Sequence, residues 1–283
     1  ILLGSDNGGT VTPTDGSVTS DKLAYPFVVN EDGAAASDFR VESDSKTHML
    51  FVDAGNNAIC VGTDTHDTGP LVVQTGNSHA TAMTVQSTGT TQLMLKDTDA
   101  SSNDKYWGLQ ISGGDFNILT MDDDKASNFV TPLTINQSGA MTKPLQPAFL
   151  VSPSDAAAQN NISSTTVITF GDEIFDQNAD FSGYTFTAPV TGKYQLNASL
   201  RLGGLDADAN YHFFQIETSN RNYQWIIDPR AFDADAVYWP AAWSALADMD
   251  ANDTAYIKYY QDGGANQLDI ETGGSFFSGF LAC

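Results

Sequence analysis

Apolar and polar residues alternate along most of this 283-residue chain. Phe39 and Val41 alternate with Asp38, Arg40 and Glu42; Met49 and Phe51 alternate with His48, Leu50 and Val52. A period of two places successive side chains on opposite faces of an extended strand, so these runs predict half-buried β-strands. They are short, and turn-forming stretches such as Asp44-Ser45-Lys46 and Ala54-Gly55-Asn56-Asn57 separate them. No stretch keeps an apolar stripe at helical spacing. The pattern predicts an all-β protein.

The first half repeats itself. Offset by 44 residues, "PFVVNEDGAAASDFRVESDSKTHMLFVDAG" lies over "PLVVQTGNSHATAMTVQSTGTTQLMLKDTD" without gaps. Pro26 falls on Pro70, Phe39 on Met83, Val41 on Val85, Met49 on Leu93 and Phe51 on Leu95. One unit has too few core positions to fold alone and must stack on a neighbour, from its own chain or another. A weaker echo begins at Pro132. Before it, "YWGLQISGGDFNILTMDDD" reads as two alternating strands around the Gly113-Gly114 turn. Residues 1–143 divide into an N-terminal segment (1–25), a first β module (26–69) and a second with an extended hairpin (70–143). The sequence begins without Met, which leaves open a processed start or an attachment domain ahead of it.

A break falls near Lys143 to Pro147, where "TKPLQP" interrupts strand pairing. Beyond it, strand-like runs recur about every ten residues, the rhythm of a β-sandwich. They are Ala148–Val151, Thr166–Phe170, Tyr184–Thr187, Gly192–Leu200 and Tyr211–Glu217, then Gln224–Ile227, Ser244–Met249, Thr254–Tyr260, Leu268–Glu271 and Phe276–Leu281. Residues 144–283 form the last domain.

Composition narrows the function. Hydrophobic residues make up 41%, enough for a packed core. Thirty-five acidic residues against 12 Lys and Arg give a net charge of -23, which repels phosphate backbones and anionic headgroups. Nucleic acid and bare membrane are therefore poor partners, and since no segment approaches 18 apolar residues, membrane insertion is not expected. Cys60 and Cys283 have no metal-ligand spacing, and both are expected to be free. His48, His66, His79 and His212 are scattered, and no nucleophile elbow, zinc-protease helix or phosphate loop occurs. An enzyme is not expected. Paired carboxylates of the glycosidase kind arise by chance in so acidic a chain.

Two resemblances add to this reading. "DFRVESDSKTHMLFVDAGNNAICVGT" resembles a segment common in tail-fibre and other appendage proteins of bacteriophages. "LMLKDTDASSNDKYWGLQISGGDFNILT" resembles the shaft modules of the same proteins. Cys60 departs from that family, which usually carries Gly there. "VITFGDEIFDQNADFSGYTFTAPVTGKYQLNASL" and the ending "GGSFFSGFLAC" resemble the complement globular-head branch of the tumour-necrosis-factor-like jelly rolls. Phe170, Phe175, Phe181, Tyr184, Phe186, Pro189, Gly192 and Tyr194 fall on its landmarks. The resemblance implies a ten-stranded double-sheet jelly roll assembled as a homotrimer. With the repeats, it implies a fibre on a virion surface. Its partners would be baseplate, tail or capsid proteins on one side and a host glycan or protein on the other. Attachment by many weak sites follows. Alternatives are a capsid decoration or head fibre, a secreted bacterial adhesin, and a depolymerase tailspike.

Candidate contact residues lie in "WIIDPRAFDADAVYWPAAW". Tyr238 and Trp239 suit stacking on sugar faces, and Asp228, Arg230 and Asp233 suit hydrogen bonds to hydroxyls. Trp225 and Trp243 are expected in the core. Asp206, Asp208 and Asn210 alternate in a loop and are a candidate calcium site, the other reading being a turn held by side-chain-to-backbone bonds. Asp122-Asp123-Asp124 reads as a solvated turn.

Overall fold

The computed structural model describes residues 39–41, 44, 48–56, 58–64, 71–73, 83–154, 159–162 and 164–283. Among these the chain is all-β, with 21 strands, one 3-10 turn and no α-helix. It forms two compact units, residues 1–86 and 87–283. The expected strand start at Pro26, the Ser45-Lys46 turn, His66 and His79 lie outside the described residues.

The first unit holds a sheet of β1 (Phe39–Val41), β2 (Leu50–Asp53), β3 (Ala58–Val61) and β4 (Leu71–Val73) in that order. The first three are antiparallel and β4 runs parallel to β3. These ladders close within one chain. On one face Phe51 lies opposite Cys60, and both are buried with Ala58. Cys60 is a small filler at 0% exposure. The other face carries two register rows, Phe39-Val52-Ile59-Leu71 and Val41-Leu50-Val61-Val73, every member apolar.

The second unit opens with a five-stranded antiparallel meander: β5 (Thr91–Lys96), β6 (Tyr106–Ser112), β7 (Asp115–Met121), β8 (Val130–Ile135) and β9 (Met141–Thr142). Gly113 and Gly114 join β6 to β7 at φ +59° and +91°, the left-handed pair that a two-residue hairpin turn needs. Met83–Gln86, which lie over Phe39–Arg40 and beyond in the repeat, form no strand. Alternation sorts the meander into two faces. One carries the rows Leu93-Leu109-Ile118-Leu133, Leu95-Trp107-Thr120-Val130 and Thr91-Ile111-Phe116-Ile135. The other carries Gln92-Gln110-Asn117-Thr134 together with Met94-Gly108-Leu119 and Lys96-Tyr106-Met121, and on it Leu119 and Met121 are buried. There the Thr134 hydroxyl donates to Asn117 Oδ1 at 2.8 Å.

Lys143 to Pro147 lead into the head, and side chains from the head hold this linker. Gln177 Nε2 donates to the Lys143 carbonyl at 3.0 Å and the Gln146 carbonyl at 2.6 Å; Asn178 Nδ2 donates to the Leu145 carbonyl at 2.9 Å.

The head is a sandwich of two six-stranded sheets. The first contains β10 (Ala148–Ser152), β11 (Gln159–Ile162), β13 (Asp172–Asp176), β16 (Gly192–Leu205), β19 (Ala236–Met249) and β21 (Leu268–Leu281), with β13-β10-β21-β16-β19 as its path. The second contains β12 (Thr166–Val167), β14 (Phe181–Ser182), β15 (Thr185–Thr187), β17 (Tyr211–Thr218), β18 (Asn222–Ile227) and β20 (Thr254–Asp262), with β14-β15-β20-β17-β18 as its path. Tyr194, Leu196 and Leu202 of β16 meet Phe214 and Ile216 of β17 and Ile257 and Tyr259 of β20 in a single core, all at 0% exposure. Phe149 stacks on Phe186 and meets Phe277 edge-on, at centroid distances of 4.7 and 5.0 Å. Such pairs add about 0.5–1.5 kcal/mol beyond burial alone.

The ten expected runs become twelve strands. Two C-terminal runs are one strand, β21, in which the ladder to β16 shifts between Ser199 and Arg201. Three polar or very short strands, β11, β13 and β14, had no clear alternation to announce them.

Candidate receptor-contact site

The loops after β16 and β18 meet at one end of the head. Asp228 ends the β18 run in extended backbone, as the residue before a proline must, and Pro229–Ala231 make the 3-10 turn. The Asp228 carboxylate then accepts from its own turn: Arg230 N at 3.1 Å, Nε at 2.9 Å and Nη2 at 2.6 Å. This forked pairing holds the Asp228 carboxyl at about 2 and raises the Arg230 guanidinium. Both side chains are exposed, so the pair shapes the loop and adds little to global stability.

Behind the turn, the Phe232 ring packs on Trp239 at 5.0 Å. Asp235 reaches back across the end of the head. It accepts from Ala207 N at 2.8 Å and from Gln267 Nε2 at 2.8 Å, and these bonds lower its pKa. The result is an open cleft of about 560 Å³ lined by Asp208, Arg230, Phe232, Asp233 and Asp235 with Ala207 and Ala234. One guanidinium, one aromatic edge and three carboxylates face the same space. That set donates and accepts hydrogen bonds from hydroxyl-rich or cationic groups; it holds no nucleophile–base pair.

Arg230 and Asp233, expected from sequence, line this cleft, and Asp228 orients Arg230. Tyr238 and Trp239 do not join them. Both belong to β19, which begins at Ala236, so the aromatic run is strand and not loop. Trp239 lies opposite Leu202 on the inward side, whereas Tyr238 is 55% exposed with the Arg201 guanidinium 4.3 Å over its ring. Tyr238 instead borders a neighbouring hollow with Asp269 and Glu271. Trp225 and Trp243 pack against the core beside Phe214. Phe232, Asp235 and Gln267 were not legible as site residues, because only the fold brings 207, 235 and 267 together.

Asp206, Asp208 and Asn210 are adjacent, yet they do not converge on one point. Asp206 is 3% exposed, and its two oxygens accept from the amides of Asp208, at 2.8 Å, and Ala265. Asn210 Nδ2 donates to Asp262 Oδ2 at 3.0 Å, and Asp208 faces the cleft. Asp206 thus acts as a staple between two loops, the turn reading of this sequence. Among the described residues no group of three or more His, Cys, Asp or Glu is placed to hold a metal ion. Beneath the staple, His212 is fully buried. Its Nε2–H donates to the Asp206 carbonyl at 3.0 Å, and Nδ1 faces the Tyr259 hydroxyl at 2.9 Å. Burial lowers the His212 pKa. The Asp122–Asp124 turn is closed on itself by bonds from Ala126, Ser127 and Asn128.

No protein-family model matches the chain, and no curated protein does. Solved structures do. The globular domain of zebrafish complement 1qA protein is similar at 20% identity over 49% of this chain and 98% of that one, with a TM-score of 0.39. Murine APRIL, crystallised at pH 8.5, is similar at 12% identity over 48% and 98%, with a TM-score of 0.36. Both likenesses span about half of this chain. Among the described residues no helix is long and apolar enough to cross a membrane.

Proposed function

We propose that this chain is a non-enzymatic attachment protein, the fibre of a virion. Its β modules form a shaft, and its head binds a glycan or protein of the host surface as a homotrimer. The observation that carries this reading is the outward face of the head's first sheet. There Phe280 lies beside Ala148 on one strand and Gln195 on the next, and Gln195 lies opposite Leu246. Phe175 stands opposite Leu150 one row away. Phe175, Phe280 and Leu246 are 48%, 47% and 58% exposed. Large apolar side chains grouped on a flat sheet face suit burial against further copies of the head.

Assembly turns one shallow cleft per chain into several on one particle, so weak contacts add. The cleft around Arg230 and Asp233 is the contact site, with the Asp228 fork holding Arg230 in place.

Two measurements test this. Light scattering on the purified chain gives a mass near three times 30.2 kDa, and glycan-array and cell-binding assays give a signal that Arg230→Ala and Asp233→Ala abolish. A monomer in the first assay sinks the fibre reading. Full binding by both variants sinks the cleft.

A further inference from the structure

We propose that the outward face of the head's second sheet is a second binding site, a platform for a neutral polysaccharide chain. It is separate from the Arg230 cleft and stands whether or not the heads assemble. Phe214 and Ile216 of β17 point into the core, so Tyr211, Phe213, Gln215 and Glu217 point outward. The ladders to β18 and β20 extend these positions into rows. Phe213 lies between Ile226 and Tyr260, Gln215 between Gln224 and Lys258, and Glu217 between Asn222 and Tyr256. Tyr211, Phe213 and Tyr260 form one aromatic patch. Their centroids are 6.3, 6.0 and 4.8 Å apart, with planes within 28° of one another. Three such mutual distances describe a triangle and not a column, so no ring is sandwiched between the other two. All three rings are half-buried, and Ile226 beside them is 58% exposed.

Polar rows run beside the rings and are wired together. Glu217 Oε2 accepts from Gln215 Nε2 at 2.5 Å and from the Lys258 ammonium at 3.1 Å, and Glu217 Oε1 accepts from the Tyr256 hydroxyl at 2.5 Å. Gln224 Nε2 donates to Gln215 Oε1 at 3.1 Å. These bonds fix the geometry before any ligand arrives, which lowers the cost of ordering on binding. Capacity remains. Among the described residues Lys258 uses one of its three donors, on Glu217, and the exposed Gln224 keeps its amide oxygen.

Charge selects the occupant. The chain carries -23, so a charged partner drawn to it is basic and needs unmatched carboxylates. Here Glu217 is matched by Lys258, and Asp262, at the Tyr211 end, accepts from Asn210 Nδ2 at 3.0 Å. The rows from Phe213 to Glu217 are thus neutral overall. Rings beside fixed donors and acceptors, without net charge, fit an uncharged and hydroxyl-rich ligand. The C–H groups on one side of a pyranose carry partial positive charge and meet the negative face of an aromatic ring, while its hydroxyls reach the polar rows. A flat sheet face, unlike an enclosed pocket, takes successive sugars of a chain.

The test is affinity electrophoresis of the full chain in gels holding mannan, galactomannan or hydroxyethylcellulose as neutral probes, and alginate as an anionic one. Retardation by at least one neutral probe is expected, weakened about tenfold or more by Phe213→Ala and by Tyr260→Ala. The wild-type chain is then nitrated with tetranitromethane in the presence of that probe. Tyr211 and Tyr260 are expected to be protected, and Tyr184, 39% exposed in another turn of the head, is not, as read by mass spectrometry. Should the variants fail to fold, the nitration pattern decides. Retardation by none of the neutral probes, or by alginate alone, overturns the inference. Retardation that survives the Phe213→Ala, Tyr260→Ala double variant and is lost in Arg230→Ala belongs to the cleft and also overturns it. Retardation lost in the double variant upholds the platform even where the cleft reading fails.

Discussion

The head and the β5–β9 sheet are written in the same alternating code, yet they end in different states. In the head, β17 and β20 lie over β16, and Leu196, Phe214 and Ile257 reach 0% exposure. In β5–β9 an equally apolar row stands open, with Leu109 at 37% and Leu95 at 57%. Composition does not separate them. Alternation gives a sheet one apolar face, and that face contributes to stability only when something covers it. The head is long enough to fold a second sheet over its first. The meander buries side chains on its other face, where Leu119 and Met121 are 2% exposed, and leaves this face open.

The sharpest way to break this comparison is to cut the same side chain in both places. Leu196→Ala is expected to cost about 2–5 kcal/mol by urea denaturation, through lost burial and a residual cavity. Leu109→Ala, in chains diluted to monomers, is expected to cost under ~1 kcal/mol, since water already reaches it. Equal costs would mean that the sheet face is covered within one chain.

A smaller effect is expected at the loop staple. Gly264 has φ +70°, and a Cβ there would press on Asp206 and on Ala209 N, 2.9 Å away. Gly264→Ala is expected to cost about 1–3 kcal/mol and to speed hydrogen exchange at the amides of Asp208 and Ala265. Unchanged exchange would remove the staple from the account of the cleft.

Acid sharpens the comparison further. His212 is buried and its folded pKa lies below the usual 6.5, so the unfolded chain binds the proton more readily. Stability is therefore highest when the imidazole is neutral in both states, and it falls as pH drops through 6.5 toward the folded value. The loss is expected in the head and absent from the meander, which contains no histidine. Urea midpoints at pH 7 and pH 5 for wild type and His212→Gln check this; a variant as pH-sensitive as wild type would acquit His212.

The smallest effect is local. Arg230→Ala is expected to let the Asp228 carboxyl rise from about 2 toward the ordinary carboxylate range, read by carbon NMR titration, with the melting temperature unchanged. A titration that stays low would mean that the turn amide alone holds the charge.

Much of the head was legible because its central strands alternate cleanly: Gly192–Leu200 lies wholly within β16, and Tyr211–Glu217 is β17 bar one residue. The edge strand β13, Asp-Glu-Ile-Phe-Asp, was not, because an edge strand with an open face has no need of alternation. The aromatic run at Tyr238 and Trp239 misled for the opposite reason. Bulky rings suit both strands and contact loops, and only the ladder to Leu202 and Gly203 decides for strand. Of the site, the Asp228–Arg230 fork was within reach because it is local. Asp235 was not, since its partners at 207 and 267 come from other loops.

By itself the sequence determined that this protein is built of strands and which side chains share a face, because period and turn chemistry act over a few residues. Only the tertiary structure decided which faces are covered, that Asp206 binds backbone amides across two loops, and that a cleft exists at all. Those outcomes depend on residues far apart in the chain being brought to within a few ångströms of one another, and no local pattern encodes that distance.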